Sequence, residues 1–159
     1  MRLTQHLGVL ATFEKVAVTI EAVREPDEEV RDALGTLLPQ LNRGLGKPSR
    51  ELLAAVVADP AATLLVARVD GQIVGTATVA VVATPTCITA HINDVVVDDA
   101  ARRQGAGRRL MEAALEIARE RGAGVVRLTT AERRGEAHRL YESLGFKNTG
   151  SRAYRLDLG

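Results

Sequence analysis

Residues 95–110 have the sequence VVVDDAARRQGAGRRL, in which an apolar run leads through a short polar turn into a helical pattern. The three valines favour a strand, because branching at Cβ suits an extended backbone. Gly105 and Gly107 remove side chains where the helix is expected to begin, so a ligand can approach the backbone closely. The first turn of a helix has unpaired N–H groups and a partial positive charge. The stretch therefore predicts a phosphate-binding turn between a strand and a helix.

Two common phosphate-binding patterns do not fit this turn. Dinucleotide-binding folds use G-x-G-x-x-G, and the third glycine position is occupied here by Leu110. A P-loop needs G-x-x-x-x-G-K-[ST], and the chain contains no Gly-Lys-Ser or Gly-Lys-Thr. What remains is the pattern R-x-x-G-x-G, formed by Arg102, Gly105 and Gly107. A nucleotide-binding enzyme is therefore disfavoured.

The composition predicts one globular domain, residues 1–159, in which residues 1–14 have no clear period and are interpreted as a loose N-terminal arm. A net charge of +1 and 3% aromatic residues give no argument for a nucleic acid or a membrane surface as partner. The single cysteine, Cys87, is interpreted as a small buried residue rather than a nucleophile, and no cluster has metal-ligand spacing. Without a signal peptide or an apolar span, we expect a cytoplasmic protein.

Hydrophobic periodicity predicts the element order β-α-α-β-β-β-α-β-α-β. Strands are expected at 16–23, 63–69, 73–82, 88–97, 125–129 and 153–158, and helices at 26–38, 49–58, 134–144 and between the glycine turn and Gly122. Asp70-Gly71 between two β-rich runs predicts a hairpin, because its turn needs positive φ. A hairpin beside strand–helix–strand crossovers gives a mixed α/β sheet with helices on its faces.

The pattern at Arg102, Gly105 and Gly107 resembles the [QR]-x-x-G-x-[GA] motif of the GNAT superfamily of N-acetyltransferases. A second family signature, A-x-x-x-Y-x-x-x-G-F, is matched by Ala137, Tyr141, Gly145 and Phe146. The element order is similar to the GNAT fold along nearly the whole chain, and the likeness in residues covers 91–146. The resemblance implies a mixed, mostly antiparallel central sheet flanked by helices on both faces.

The resemblance also implies that the chain holds acetyl-CoA at the glycine turn. Main-chain groups of Val95 and Val97 would pair with the pantetheine amides, and N–H groups of 103–108 would bind the pyrophosphate. The expected cofactor-binding residues are Val95, Val96, Val97, Arg102, Arg103, Gln104, Gly105, Ala106, Gly107 and Arg108. A simpler interpretation is that the two glycines only start a helix and the arginines form its solvated face.

Three residues are candidates for moving protons in an acetyl transfer. Tyr141 matches the family tyrosine that often serves as general acid, and a phenol is protonated at neutral pH. It also fits a core position on its helix. His91 falls where several members carry a catalytic acid or histidine, and it shares a strand face with Asn93 and Val95 if no bulge intervenes. Asp94 would point the other way unless a bulge re-aims it. His91 also fits a half-buried strand residue.

The acceptor is expected to be a primary amine of a small molecule. Parts of the chain are similar to glucosamine-phosphate and aminoalkylphosphonate acetyltransferases, which suggests an anionic amine bound by Asn93, Arg134 and Arg43. Many members have Asn where Arg134 stands, so a role carried over to this position is in doubt. A protein acetyltransferase and a non-catalytic acyl-CoA-binding or sensing module are the alternatives. Homodimers are common in the family, and a homodimer is a further expectation.

Overall fold

The computed structural model describes residues 17–159, and the N-terminal arm predicted at 1–14 lies outside them. The elements are β1 (Val18–Ala22), α1 (Glu28–Leu41), α2 (Arg50–Ala58), β2 (Ala62–Val69), β3 (Gln72–Ala83), β4 (Ile88–Val97), a 3₁₀ turn (Asp99–Ala101), α3 (Ala106–Glu120), β5 (Val125–Arg127) and α4 (Gly135–Ser143). Each of the first nine predicted elements therefore has a counterpart in the structure. None of the helices in residues 17–159 combines the length and the hydropathy that crossing a membrane requires.

The five strands form one sheet in the order β1-β2-β3-β4-β5. Successive pairs from β1 to β4 are antiparallel, and the β2–β3 hairpin turns at Asp70 and Gly71, which have φ of 49° and 78°. β4 and β5 are parallel, because α3 carries the chain back across the sheet between them. The mixed, mostly antiparallel sheet predicted from the sequence is confirmed.

Helices cover both faces of this sheet. On one face α3 and Tyr141 of α4 pack against β2, β3 and β4 in a single cluster that includes Leu65, Ala67, Ala77, Val79, Ala90, Ile92, Leu110, Met111, Ala114 and Ala118. On the other face Val30 and Leu34 of α1 and Leu53 of α2 pack with Leu64 of β2 in a second cluster. Burying these apolar side chains on both sides fixes the sheet as the central layer.

The sheet opens between β4 and β5. The two strands pair at only three positions, the last being His91 with Arg127. β4 then continues to Val97, whereas β5 ends at Arg127. The backbone of β4 beyond His91 therefore has no described strand on its β5 side, and a ligand can take that place.

The last predicted strand, at 153–158, is wrong. Beyond α4 the described chain contains no helix or strand, and β5 is also shorter than the predicted 125–129. Tyr154, Leu156 and Leu158 are 89%, 82% and 94% exposed. Their alternation with Arg155 and Asp157 has the period of a strand, but a strand forms only where a neighbour pairs with its backbone. None of the five described strands pairs with the tail.

Candidate active site

A cavity of 620 Å³ lies where β4 and β5 separate. Its walls come from the end of β4, the turn into α3, the start of α4 and the end of α1. They include Gln40, Leu41, Val95, Val96, Val97, Ala101, Arg102, Arg103, Gly105, Ala106, Gly107, Arg108, Arg133, Arg134, Gly135, Glu136, Ala137, Leu140 and Tyr141. The cavity therefore brings nine of the ten predicted cofactor-binding residues together, and Gln104 is the one that does not line it.

The turn into α3 presents bare backbone to this cavity. α3 begins after Gly105 without a hydrogen bond from any capping side chain, so its first N–H groups have no partner within the helix. Gly105 has φ of 85°, which a side chain rarely permits. At Gly107 a Cβ atom would lie 3.4 Å from Leu140 Cδ2, which is ordinary contact, so this glycine leaves the backbone bare without being required by the packing. Unpaired N–H groups at a helix N-terminus fit a phosphate group.

The arginines around the turn differ in whether other residues of the chain already bind their guanidinium groups. Arg102 forms ion pairs with Asp99 at 2.7 Å and Glu136 at 3.6 Å. Arg108 donates to Ser143 Oγ at 2.7 Å and pairs with Glu112. Arg103 has φ of 66° and no acidic partner among the described residues. Arg103 therefore has the charge most available to an anionic ligand, whereas Arg102 also ties the turn to α4.

β4 contains a β-bulge at Asp94, whose φ is 52°. Thr76 of β3 pairs with Val96 while Thr78 pairs with Asn93, so two residues of β4 face one residue of β3. The bulge reverses the alternation: Ala90 and Ile92 lie in the α3 cluster before it, and Val95 and Val97 pack there after it. The shared face expected for His91, Asn93 and Val95 without a bulge is therefore wrong.

The bulge also frees backbone at the point where the cavity begins. Asp94 and Val95 have no partner in the ladder with β3, and beyond His91 no described strand pairs with β4 on its other side. Backbone N–H and C=O groups in such a position bind ligands as a neighbouring strand would.

The two candidate bases lie outside the cavity walls. His91, Asn93 and Asp94 are exposed on β4, and His91 is paired in register with the exposed Arg127 of β5. Arg43 is exposed in the loop between α1 and α2 and does not line the cavity either. The structure therefore separates these four predicted residues from Tyr141, which does line the cavity.

Tyr141 occupies the core position that its sequence spacing allows. The residue is only 8% exposed, and its ring packs edge-on against Phe146, with the ring centroids 6.0 Å apart. Burial raises the pKa of its phenol above the usual value near 10, and the positive charge of Arg134 lowers this pKa in part. Tyr141 is thus a core aromatic that lines the cavity, and its phenol is protonated at neutral pH.

Gln40 and Leu41, at the end of α1, are cavity residues that sequence reasoning missed. Arg134 Nη2 donates to the carbonyl oxygens of both, at 3.3 Å each. The Gln40 side chain in turn accepts a hydrogen bond from the N–H of Asp99 at 2.9 Å. No local signal joins residues this far apart in the chain. The predicted role of Arg134 in substrate binding stays a prediction, with one of its nitrogens engaged by α1.

Cys87 is half-buried rather than buried, and it does not line the cavity. Hydrogen bonds to its thiol from Thr89 and then Thr86 lower its pKa below the usual value. Among residues 17–159, no three His, Cys, Asp or Glu side chains come together in a group that could hold a metal ion.

Comparisons with known proteins agree with this geometry. The sequence profile of the acetyltransferase (GNAT) family matches residues 28–146. No curated protein matches the chain.

Several solved structures share the fold. A transcriptional regulator from Bacillus halodurans C-125 is 30% identical, with a TM-score of 0.77, over 89% of this chain and 100% of that one. An acetyltransferase of Trypanosoma brucei is 28% identical, with a TM-score of 0.71, over 89% and 100%. Glucosamine-6-phosphate N-acetyltransferase from Arabidopsis thaliana is 21% identical, with a TM-score of 0.74, over 88% and 98%, which shows a common fold alone.

Proposed function

The chain belongs to the GNAT family of acetyltransferases, and on this premise we propose that it transfers the acetyl group of acetyl-CoA directly to a primary amine of a small molecule, with Tyr141 as general acid. One observation carries the proposal. A single cavity has the bare N-terminus of α3 in one wall and the buried Tyr141 in another. The first suits the phosphates of a cofactor and the second suits proton donation.

The cofactor would be held mainly by backbone. The free groups of Asp94 to Val97 suit the amides of an extended pantetheine arm, and the N–H groups from Arg103 to Arg108 suit a pyrophosphate. Arg103 adds a charge that no described acid occupies. Bound acetyl-CoA would supply a thioester whose sulfur leaves with a negative charge. These residues would hold and orient the thioester.

Tyr141 would hold a proton on Oη until a thiolate needs it. Its raised pKa keeps the phenol protonated at neutral pH, so the donor form is the resident form. The amine must lose a proton as it attacks, and His91 and Asp94 are the proposed acceptors. Because both are exposed and outside the cavity walls, we place a water molecule between either of them and the amine.

The acceptor we propose is a small amine that carries an anionic group. Asn93, Arg43 and Arg134 are its proposed binding residues. Support comes from two positive charges, Arg133 and Arg134, which line the cavity wall. Arginine suits carboxylate and phosphate groups, because its planar fork donates two parallel hydrogen bonds.

A thiol-release assay with acetyl-CoA and a panel of amines tests the proposal. Two matched pairs isolate the anionic group: glucosamine 6-phosphate with glucosamine, and 2-aminoethylphosphonate with ethylamine. We expect faster thiol release with the charged member of a pair, and the product is checked by mass spectrometry. Equal rates within both pairs would contradict the anionic acceptor. A lysine peptide as the best substrate would favour a protein acetyltransferase instead.

A second candidate is a non-catalytic domain that binds and senses acyl-CoA. The similarity to a solved protein described as a transcriptional regulator favours it. Both candidates need the phosphate-binding turn, and only the enzyme needs a proton donor. Thermal shift with acetyl-CoA measures binding alone, because a ligand stabilises the fold that it binds. A large shift with no thiol release from any amine would support the sensor.

A further inference from the structure

Arg134 joins two segments that are far apart in the chain. It is the N-cap residue of α4 and is half-buried in the cavity wall. Its Nη2 atom lies 3.3 Å from the carbonyl oxygens of both Gln40 and Leu41, the last residues of α1. We call these contacts the Arg134 bridge.

The end of α1 is completed only in part by its own residues, through the N–H of Asn42 to Leu38 O and Gln40 Nε2 to Thr36 O. The last carbonyls of any helix have no partner within it, and a basic residue in the last turn often satisfies them. α1 has no basic residue in its last turn. Pro39 lies inside the helix and, having no N–H, also leaves the carbonyl of Gly35 without its usual donor. The Arg134 bridge therefore supplies from α4 the positive charge that complements the negative end of α1.

The bridge extends to the phosphate side of the cavity. Gln40 Oε1 accepts from the N–H of Asp99 at 2.9 Å, and Gln40 Nε2 donates to the carbonyl of Thr36 at 3.2 Å. Asp99 is also the partner of Arg102. One residue at the end of α1 thus contacts both α4 and the turn that leads to α3. The position of this helix end is linked to both walls of the cavity.

We propose that Arg134 is a positioning residue that holds the end of α1 in the cavity wall. It thereby fixes the loop of residues 42–49, the acceptor loop, which carries the proposed acceptor-binding residue Arg43. The bridge stands on its own contacts, whereas the consequence for the acceptor rests on the proposed function. The charge of Arg134 also acts on Tyr141 in the same cavity. One guanidinium thus holds the end of α1 and also lowers the pKa of Tyr141 in part.

Hydrogen exchange on the full chain, without any ligand, tests the bridge. Three amides in the segment that follows Leu41 donate hydrogen bonds in the structure: Asn42 N–H to Leu38 O, Gly44 N–H to Asn42 Oδ1 and Leu45 N–H to Asn42 O. In Arg134→Met we expect these amides to exchange about tenfold faster, because a hydrogen bond from a charged donor is lost. Arg139→Met is the control, since it removes the same charge from an exposed position on α4. Unchanged exchange in Arg134→Met would overturn the inference.

Arg134→Lys separates the charge from the geometry. Lysine keeps the positive charge, but it lacks the planar guanidinium that donates to the carbonyl oxygens of Gln40 and Leu41. We expect the three amides to exchange faster than in the wild type and more slowly than in Arg134→Met. The lysine variant also tests the bridge if the methionine variant fails to fold. Exchange in the lysine variant as fast as in the methionine variant would also support the bridge, because geometry would then dominate. Exchange at the wild-type rate in every Arg134 variant that folds would contradict the bridge.

Kinetics distinguish this inference from a direct role in binding. With the panel amine that is acetylated fastest, we expect Arg134→Met to raise the KM of the amine and to leave the Kd of CoA, measured by calorimetry, unchanged. A raised KM with unchanged exchange would mean that Arg134 acts on the acceptor by direct contact alone, which overturns the inference and leaves the proposed function standing. Faster exchange in a chain that acetylates no amine would leave the inference standing and contradict the proposed function.

Discussion

The two halves of the cavity are built in opposite ways. The proposed cofactor half lies within residues 95–108, one continuous stretch that offers backbone groups and glycines. The proposed acceptor half includes Gln40, Leu41, Arg134 and Tyr141, which meet from α1 and α4. A site made of consecutive backbone is defined by local sequence, whereas a site made of converging side chains depends on the whole fold. The difference implies that the halves respond differently to substitution.

The helix N-termini illustrate the same difference. α1 begins at Asp27, whose Oδ1 accepts from Val30 N–H at 2.8 Å, and α2 begins at Ser49, whose Oγ accepts from Leu52 N–H at 3.1 Å. These caps satisfy the helix from within the chain. α3 begins at Gly105 without one. α4, which begins after Arg134, has no side-chain cap either, and the starts of both uncapped helices line the cavity. The capped helices support the fold, and the uncapped helix starts are free to bind a ligand.

The largest effect is expected from Tyr141→Phe in the acceptor half. Phenylalanine keeps the buried ring and its edge contact with Phe146 but cannot donate a proton. We expect turnover to fall by about 10²–10⁴-fold, while CoA binding and the unfolding temperature stay near the wild type. Thiol release, calorimetry and thermal melts measure the three quantities. Unchanged turnover would reject Tyr141 as the acid.

The next largest effect is expected from Gly105→Ala in the cofactor half. The residue has φ of 85°, and no atom lies within 4 Å of the position that a Cβ would take, so strain in the backbone is the only cost. That strain is about 1–2 kcal/mol for a residue with a side chain, which corresponds to CoA binding weaker by about tenfold if the turn relaxes. Gly124→Ala is the matched control, because Gly124 has equal space and no positive φ. Equal Kd values for the two variants would contradict the role of the turn.

A smaller effect is expected from Arg103→Gln, which removes a charge without disturbing an ion pair. An exposed arginine on a phosphate contributes modestly, so the Kd of CoA should rise about two- to fivefold. The loss should shrink at high salt, because counterions screen exposed charges. Arg109→Gln is the control, since Arg109 is exposed and outside the cavity walls. If both variants bind CoA equally well, the turn recognises phosphate by its backbone alone.

The cofactor half could be predicted from the sequence, because its signals are local. The valine strand, the glycines and the α3 stripe lie within one stretch, and the turn at Asp70-Gly71 is similarly local. The bulge at Asp94 was open from the sequence and could not be placed, since an aspartate without a following glycine has only a weak preference for positive φ. The bridge from Arg134 to α1 depends on the folded chain, and the alternating tail at 153–158 had a strand pattern without a strand to pair with.

Asp27→Ala tests the N-terminus of a capped helix, in contrast to the uncapped N-terminus of α3. Removing a capping side chain costs about 1 kcal/mol of unfolding free energy, measured by urea unfolding. Because α1 is capped away from the phosphate-binding turn, the Kd of CoA should not change. The variant is thus expected to lose stability while it keeps its affinity for CoA. At Gly105, by contrast, the affinity for CoA is expected to fall. A change in the Kd would show that the helix starts are not independent.

The smallest effect is a change in the titration of Tyr141, which reports the charge inside the acceptor half. The chain has two tyrosines and no tryptophan, and Tyr154 is exposed. In Tyr154→Phe, the ultraviolet absorbance of tyrosinate therefore comes from Tyr141 alone. Burial disfavours the charged phenolate, so its midpoint should lie above the usual pKa near 10.

Adding Arg134→Met should raise that midpoint further, because the charge that favours the phenolate is lost. Adding Arg134→Lys should leave the midpoint nearer its original value, since the charge remains. The direction in which the titration midpoint moves is the decisive result. A downward shift in the methionine variant would mean that water reaches Tyr141 when the guanidinium is removed. Burial would then depend on the end of α1 staying in place, and the acid and the acceptor loop would be coupled through packing rather than through charge.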